Sequence, residues 1–331
     1  MTSQTPDERF PIVFTEGTPV IRIPPRLSVI EAVDFKTTCQ SLLEDHEPIQ
    51  EMILDFSGTM FMDSSGVGAL VSTHKAVVSQ GGTLILHQVS PPVMAVLSMT
   101  SLDKVLNITP ASLPENSNQP QPPQRPPETH PSVRSPIKRL IDIVGSLVGL
   151  AITGIILIPV AIAIKRDSPG PIFFGQTRCG WLGRHFKMWK FRSMRPDAER
   201  LKHQVQNQAS GSFFKNTNDF RVTRVGKFLR RTSLDELPQF WNVLKGEMSL
   251  VGTRPPTPDE VATYQIPEWQ RLDVKPGMTG EWQVSGRSQV RNFEDVIRLD
   301  LRYQRNWSLM YDLKLIAKTV WILFQKNSGA Y

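Results

Sequence analysis

Through the first hundred residues, short apolar runs alternate with amphipathic stretches. "PIVFTEG" and "PVIRIP" predict strands, "EMILDFSG" a buried strand and "TLILHQV" another. Between them, Ser28 and Glu31 form a capping box for a helix through Leu43. "DSSGVGALVSTHKAVVSQGG" predicts a helix with a glycine stop, and "SPPVMAVLSMTSLDKVL" a helix with Ser90 as cap and Pro91 in its first turn. This alternation predicts a small α/β domain over residues 1–110, a sheet with helices. The pattern then stops: residues 110–136 hold 9 of the 27 prolines and almost no large apolar side chains. That composition predicts an extended linker over 111–136, and a second domain over 137–331.

The second domain opens with a different pattern. From Leu140 to Ile164 only Asp142 is charged. As a helix the run would extend roughly 37 Å, enough to cross a hydrocarbon core of about 30 Å. Pro159 interrupts it, removing one helical hydrogen bond and crowding the carbonyl of Ile155. Lys138-Arg139 and Lys165-Arg166 flank it at both ends, so charge gives no preferred orientation. A bent helix over 137–166 that enters and leaves on one face accounts for both features, with Ser146, Thr153 and nearby glycines helping to satisfy freed backbone groups. Two later stretches, "VTRVGKFLRR" with "PQFWNVLKG" and "SLMYDLKLIAKTVWILFQK", interleave lysine and arginine with large apolar residues, among them Trp241, Tyr311, Leu315, Trp321 and Phe324. They suit either the head-group plane of a membrane or core-packing helices with basic outer faces.

Charge sharpens the division. Residues 1–110 carry 6 Lys/Arg against 12 Asp/Glu, whereas residues 165–254 carry 18 against 7. The basic half calls for an anionic partner: nucleic acid, anionic lipid head groups or phosphate esters. The two cysteines, Cys39 and Cys179, lie far apart without metal-ligand spacing, as in a reducing compartment. The N-terminal "MTSQTPDERF" has no apolar run and predicts no secretory signal.

Within the basic half stands "RRTSLDELPQ", residues 230–239. Ser233 and Glu236 fit a capping box, and acidic residues suit a first helical turn. The adjacent carboxylates Asp235 and Glu236, preceded by Arg230 and Arg231, also suit a reaction centre, because a helix start favours anions.

"DSPGPIFFGQTR", "FKMWKFRSM", "GKFLRRTSLDELPQFWNVLKGEMSLVGTRP", "VKPGMTGEWQVSGR" and "LDLRYQRNWSLMYDLKL", in that order after the apolar run, resemble the bacterial sugar transferases, which are monotopic polyprenyl-phosphate sugar-1-phosphate transferases. The resemblance implies a mostly α-helical monotopic membrane domain with a re-entrant helix bent at Pro159. It also implies transfer of a sugar-1-phosphate from a UDP-sugar to undecaprenyl phosphate, initiating a surface glycan such as an exopolysaccharide. Asp235 falls on the family's nucleophile, which becomes an aspartyl-phosphosugar, and Glu236 on the residue that helps hold Mg²⁺. Lys190, Arg230, Arg254 and Arg287 fall on basic positions suited to diphosphate and uridine; Asp300 and Asp312 match acidic positions that would orient those arginines. Hexose donors, glucose or galactose, are favoured over an N-acetylhexosamine, although the residues by themselves leave both open. Placement on the cytoplasmic face of the cytoplasmic membrane follows from the donor, and nucleic acid drops out as a partner. Thr253 stands where proline is usual, Glu281-Trp282 where Trp-Ala is commoner, and Ile158 where serine is common.

The first domain resembles the sulfate-transporter and anti-sigma-antagonist (STAS) domain through "MILDFSGTMFMDSSGVGAL". Ser64 and Ser65 fall on that family's phosphorylatable serine motif, and a serine there equally suits a helix cap. The resemblance implies a regulatory or scaffolding role, through a protein partner or self-association. A nonenzymatic, membrane-tethered regulator is the alternative reading of the whole chain.

Overall fold

The computed structural model describes residues 10–45, 49–111, 130–205, 216, 219–285 and 293–324. These form two compact units. The first comprises residues 1–129 together with Leu182–Arg184 and Gln265–Asp273; the second holds the remainder.

In the first unit the elements run β1 (Ile12–Thr15), β2 (Thr18–Arg22), β3 (Arg26–Leu27), α1 (Val29–Asp45), β4 (Glu51–Asp55), β5 (Phe61–Met62), α2 (Ser64–Ser79), β6 (Thr83–Val89), α3 (Pro91–Met99) and β7 (Asn107–Pro110). The main sheet has the order β1-β2-β4-β6-β7. β1 lies antiparallel to β2 and the other pairs are parallel, with Ile53 opposite both Val20 and Ile85. The expected α/β architecture is present. Glu31 does accept from the Ser28 amide, one half of a capping box, and the Ser28 hydroxyl also donates to the Glu31 carboxylate. The third predicted helix is shorter than its pattern suggested: α3 ends at Met99, and Ser101 adopts a left-handed φ of 60° before a 3-10 turn over Leu102–Lys104. Ser90 precedes that helix without capping it, its hydroxyl donating instead to the Thr59 carbonyl. The chain also adds a 3-10 turn from far along the sequence, Ile266–Leu272, which packs against α1 and α2.

The second unit begins within the stretch assigned to the linker. His130 caps α4 (Pro131–Arg134) and Ser135 caps α5 (Pro136–Asp167), accepting from the Lys138 amide. β8 (Phe173–Cys179) and β9 (His185–Phe191) form an antiparallel hairpin. Then follow α6 (Arg224–Arg231), α7 (Phe240–Lys245), β10 (Ser249–Val251), α8 (Pro258–Val261), β11 (Gly277–Thr279), α9 (Glu281–Val284), α10 (Phe293–Arg305) and α11 (Leu309–Phe324). β10 and β11 pair in parallel.

α5 is inverted relative to a helix of a water-soluble core. Its buried residues include Lys138, Asp142, Ser146, Gly149 and Thr153, one stripe at helical spacing, whereas Leu140, Val144, Leu147, Ile152, Ile155 and Ile158 are exposed. Asp142 accepts from the Ser249 hydroxyl and the Leu250 amide, and Lys138 donates to the Val251 carbonyl and to Asp312. The polar stripe thus holds β10, and most apolar side chains before Pro159 face outward. Helical structure continues on both sides of Pro159, so the proline does not end the element. Ser146 and Thr153 donate to the carbonyls of Ile143 and Gly149, not to the Ile155 carbonyl that Pro159 leaves without its partner, contrary to the role expected of them. Beyond Pro159, Val160 and Ile164 join Phe191 of β9 and Leu229 of α6 in a core cluster, with Leu234 and Leu237 against it. In α11, Leu315 is buried and Tyr311 bonds to Glu281, so these two turn inward rather than toward an interface; Trp321 is exposed.

Candidate active site

Leu234 and Leu237 of that cluster flank the two carboxylates. Thr223 caps α6 by accepting from the Gly226 amide. A Cβ at Gly226 would lie 1.9 Å from the Ser193 carbonyl oxygen, so only glycine lets α6 approach this closely. The approach brings Arg230 Nε to 2.9 Å from Ser193 Oγ. α6 ends at Arg231, and Ser233 takes a left-handed φ of 55°. That reversal, strained for a residue with a side chain, starts a 3-10 turn over Leu234–Gln239 with Asp235 and Glu236 in its first turn. The capping-box reading of Ser233 is therefore corrected: its side chain makes no capping bond, and a left-handed residue cannot aim its hydroxyl at the following amides.

Asp235 is buried. Burial pulls the Arg230 guanidinium below its usual range, and the charge of Asp235, ahead of Asp219 and Glu236, works against that pull. Glu236 accepts from Lys190 Nζ at 3.1 Å. β9 places Lys190, and Asn242 holds β9 in position: it accepts from the Trp189 amide and donates to the Lys187 carbonyl and to Glu247. Neither Ser193 nor Asn242 carries a sequence signal beyond its place in a motif.

Arg254, three residues past β10, donates both arms of its guanidinium to Glu260, at 2.7 and 3.1 Å, and lies 5.9 Å from the Trp282 ring centroid. Glu260, the capping-box residue of α8, thus braces it, and Asp312 does not. Asp312 instead binds Lys138, Tyr303 and the Trp307 indole, and Asp300 is buried on α10. Arg287 lies outside the described residues. Arg178 of β8, absent from the sequence-based candidates, is fixed by Gln176 Oε1 and the Pro255 carbonyl. Burial pushes it down to about 10, with Arg254 adding to that and Glu260 and Glu236 opposing it. Lys190 thus contacts Glu236, Arg230 interacts electrostatically with both carboxylates and Arg178 with Glu236, while Arg254 lies near Arg178. Such an arrangement lowers the cost of bringing a diphosphate to a carboxylate nucleophile. Cys39 and Cys179 are buried and pushed up to about 12, mainly by that burial, as structural thiols are.

Among the described residues, no three His, Cys, Asp or Glu side chains gather around a common metal position. Mg²⁺ is ordinarily held by one or two carboxylates together with substrate phosphates. Adjacent Asp235 and Glu236 fit a site of that shared kind.

Residues 133–326 match the family described as bacterial sugar transferase, and residues 9–112 match the STAS domain. A galactosyl transferase of Streptococcus agalactiae is 50% identical over 185 residues, covering 55% of this chain and 41% of that protein. An undecaprenyl-phosphate galactose phosphotransferase of Salmonella typhimurium is 42% identical, covering 59% and 42%. The UDP-glucose:undecaprenyl-phosphate glucose-1-phosphate transferase of Escherichia coli is 43% identical, covering 59% and 41%. The chain thus spans about two-fifths of the length of these relatives. Among solved structures, a putative anti-sigma factor antagonist from Thermotoga maritima aligns with 30% of the chain and 86% of its own, at 26% identity and a TM-score of 0.28.

Proposed function

The chain belongs to the bacterial sugar transferases, and from that premise we propose that it transfers a hexose-1-phosphate, from UDP-glucose or UDP-galactose, to undecaprenyl phosphate, initiating a surface glycan. The observation that carries this reading is the buried Asp235 beside Arg230, next to a Glu236 paired with Lys190. Asp235 attacks the β-phosphorus of the donor; a new P–O bond forms, the bond between that phosphorus and the bridging oxygen breaks, and UMP leaves. An oxygen of undecaprenyl phosphate then attacks the same phosphorus and releases the Asp235 carboxylate. Two successive displacements let one carboxylate serve two bulky substrates in turn. Lys190 and Arg230 hold the charge of the diphosphate, while Arg254, braced by Glu260, and Arg178, braced by Gln176, orient it. Glu236 would hold Mg²⁺, which when bound offsets charge on the phosphate oxygens.

The inverted helix supports placement in a membrane, since its exposed apolar face would be costly in water and is favourable in lipid. Both units then lie on the cytoplasmic face, with α5 entering and leaving on that side. The STAS domain serves regulation rather than chemistry. The test is a screen of detergent-solubilised protein with Mg²⁺, undecaprenyl phosphate and a panel of UDP-sugars for UMP release. Release with UDP-glucose or UDP-galactose supports the hexose reading; release only with an N-acetylhexosamine donor moves the substrate class. Absence of release with every donor rejects the enzymatic reading.

A further inference from the structure

Within the first unit, Ser64 is not an open helix start. Its amide lies 3.0 Å from Asp273 Oδ1, and its hydroxyl lies 2.6 Å from that same oxygen and 2.6 Å from the Trp269 carbonyl. Asp63, not a serine, caps α2, accepting from the amides of Ser65 and Gly66. Ser64 and Ser65 are wholly buried, and the Ser65 hydroxyl has no hydrogen-bond partner. The Trp269 ring lies against Gly68, where a Cβ would come within 2.6 Å of the indole. The serine, the glycine one helical turn later and the 265–273 turn therefore fit one another in shape as well as in polarity.

A hydroxyl carries one proton and cannot donate fully to two acceptors. Every contact is satisfied when Ser64 donates to the Trp269 carbonyl and a protonated Asp273 donates to Ser64 Oγ. Burial, followed by the neighbouring Asp63 charge, pushes Asp273 up to about 7, consistent with that proton. Burial likewise pushes Asp63 up to about 6, with Glu31 on α1 adding to the effect and Arg26 on β3 opposing it.

We propose that the Ser64 face of α2 is an interaction surface whose partner is this chain's own Trp269–Asp273 turn, held reversibly and ejected by negative charge added at Ser64. The docked turn screens Ser64 from any modifying enzyme, so docking and modification exclude each other. An anion on the Ser64 oxygen would have no proton to give the Trp269 carbonyl 2.6 Å away and would face that carbonyl's lone pairs, in a face with no room for added atoms. The turn ends four residues before β11 in sequence.

The test is hydrogen exchange on the full chain in lipid nanodiscs, followed in peptides from 265–273 and, as a control for folding, from β4 and β6. Ser64→Asp is expected to speed exchange of the turn about tenfold with the sheet unchanged, and Asp273→Asn, which supplies a neutral donor and acceptor, to leave the turn protected. A turn equally protected in Ser64→Asp, with the sheet intact, overturns the proposal. If Ser64→Asp also loosens the sheet, Gly68→Ala decides: its methyl must displace the Trp269 ring. Faster exchange confined to the turn then supports the dock, and unchanged exchange there overturns it.

Discussion

Asp235 and Glu236 are neighbours in sequence, but their partners differ. Asp235 is buried beside Arg230 and Glu236 pairs with Lys190. Asp235→Asn is expected to abolish transfer, because an amide cannot carry the phosphosugar, while the wild-type protein incubated with donor alone gains the mass of one sugar phosphate on the peptide holding Asp235. Intact-peptide mass spectrometry checks both; a wild-type protein with no adduct under trapping conditions sinks the covalent route. Glu236→Gln is expected to raise the Mg²⁺ concentration needed for half-maximal rate, and an unchanged metal titration would remove Glu236 from the metal site. Arg178 is a second kind of case. Lysine keeps its charge but not the forked hold on Gln176 and Pro255. Arg178→Lys should raise KM for the donor about tenfold or more, on the scale of one lost charged hydrogen bond, with little change in melting temperature. An unchanged KM would confine Arg178 to packing β8.

At the scale of the element, α5 reads differently from each side. Its length and apolar composition are those of a helix able to enter a membrane, and its buried stripe of Lys138, Asp142, Ser146 and Thr153 makes it also the scaffold for β10. Asp142→Leu leaves the Ser249 hydroxyl and the Leu250 amide buried without their acceptor. It should cost about 1–3 kcal/mol, seen as a lower thermal midpoint in detergent, whereas Val148→Leu on the exposed face should cost almost nothing. Pro159→Ala restores an amide donor and strengthens the helix by up to about 3 kcal/mol. It is expected to shift the segment toward a straight span, so that cysteine reporters placed before and after α5 label from opposite sides of intact cells. Opposite-side labelling already in the parent protein would defeat the one-face arrangement. The 3-10 turn that carries Asp235 shows how an element misleads: Ser-x-x-Glu is a capping pattern, but a left-handed Ser233 turns it into a tight reversal.

For the whole molecule, the dock at Ser64 carries a pH dependence of definite sign. Asp273, at about 7, and Asp63, at about 6, hold protons in the docked state more tightly than ordinary carboxylates do. Their stabilisation of the dock is complete below the carboxylate range near 4 and is lost as pH rises through about 6 to 7. Exchange of the 265–273 turn, corrected for intrinsic rates, should be faster at pH 8.5 than at pH 5.5. Asp273→Asn should remove most of that difference; a difference of the same size in the variant would place its origin elsewhere.

Periodicity and turn chemistry made the α/β domain legible, because its main helices and the strands β1, β2, β4 and β6 are specified locally; β3, β5 and β7 were not read from the pattern. Composition made the apolar helix legible, and the long basic motifs pointed to the family and to Asp235 and Glu236 as candidates; the linker expected over 111–136 falls mostly outside the described residues, and its last residues form α4 and the start of α5. What local pattern could not carry was pairing across the chain. Lys190 meets Glu236 across 46 residues, Lys138 meets Asp312 across 174, and Ser64 meets Asp273 across 209. A lysine that lies on a motif and one that anchors a strand look alike in sequence; they differ only in which carboxylate the folded chain brings within reach. The same holds for Asp312, whose motif position suggested an arginine partner and whose burial gave it Lys138. Local sequence determined the elements because their energetics are local, and tertiary structure alone decided the charge partners because burial, not spacing, selects them.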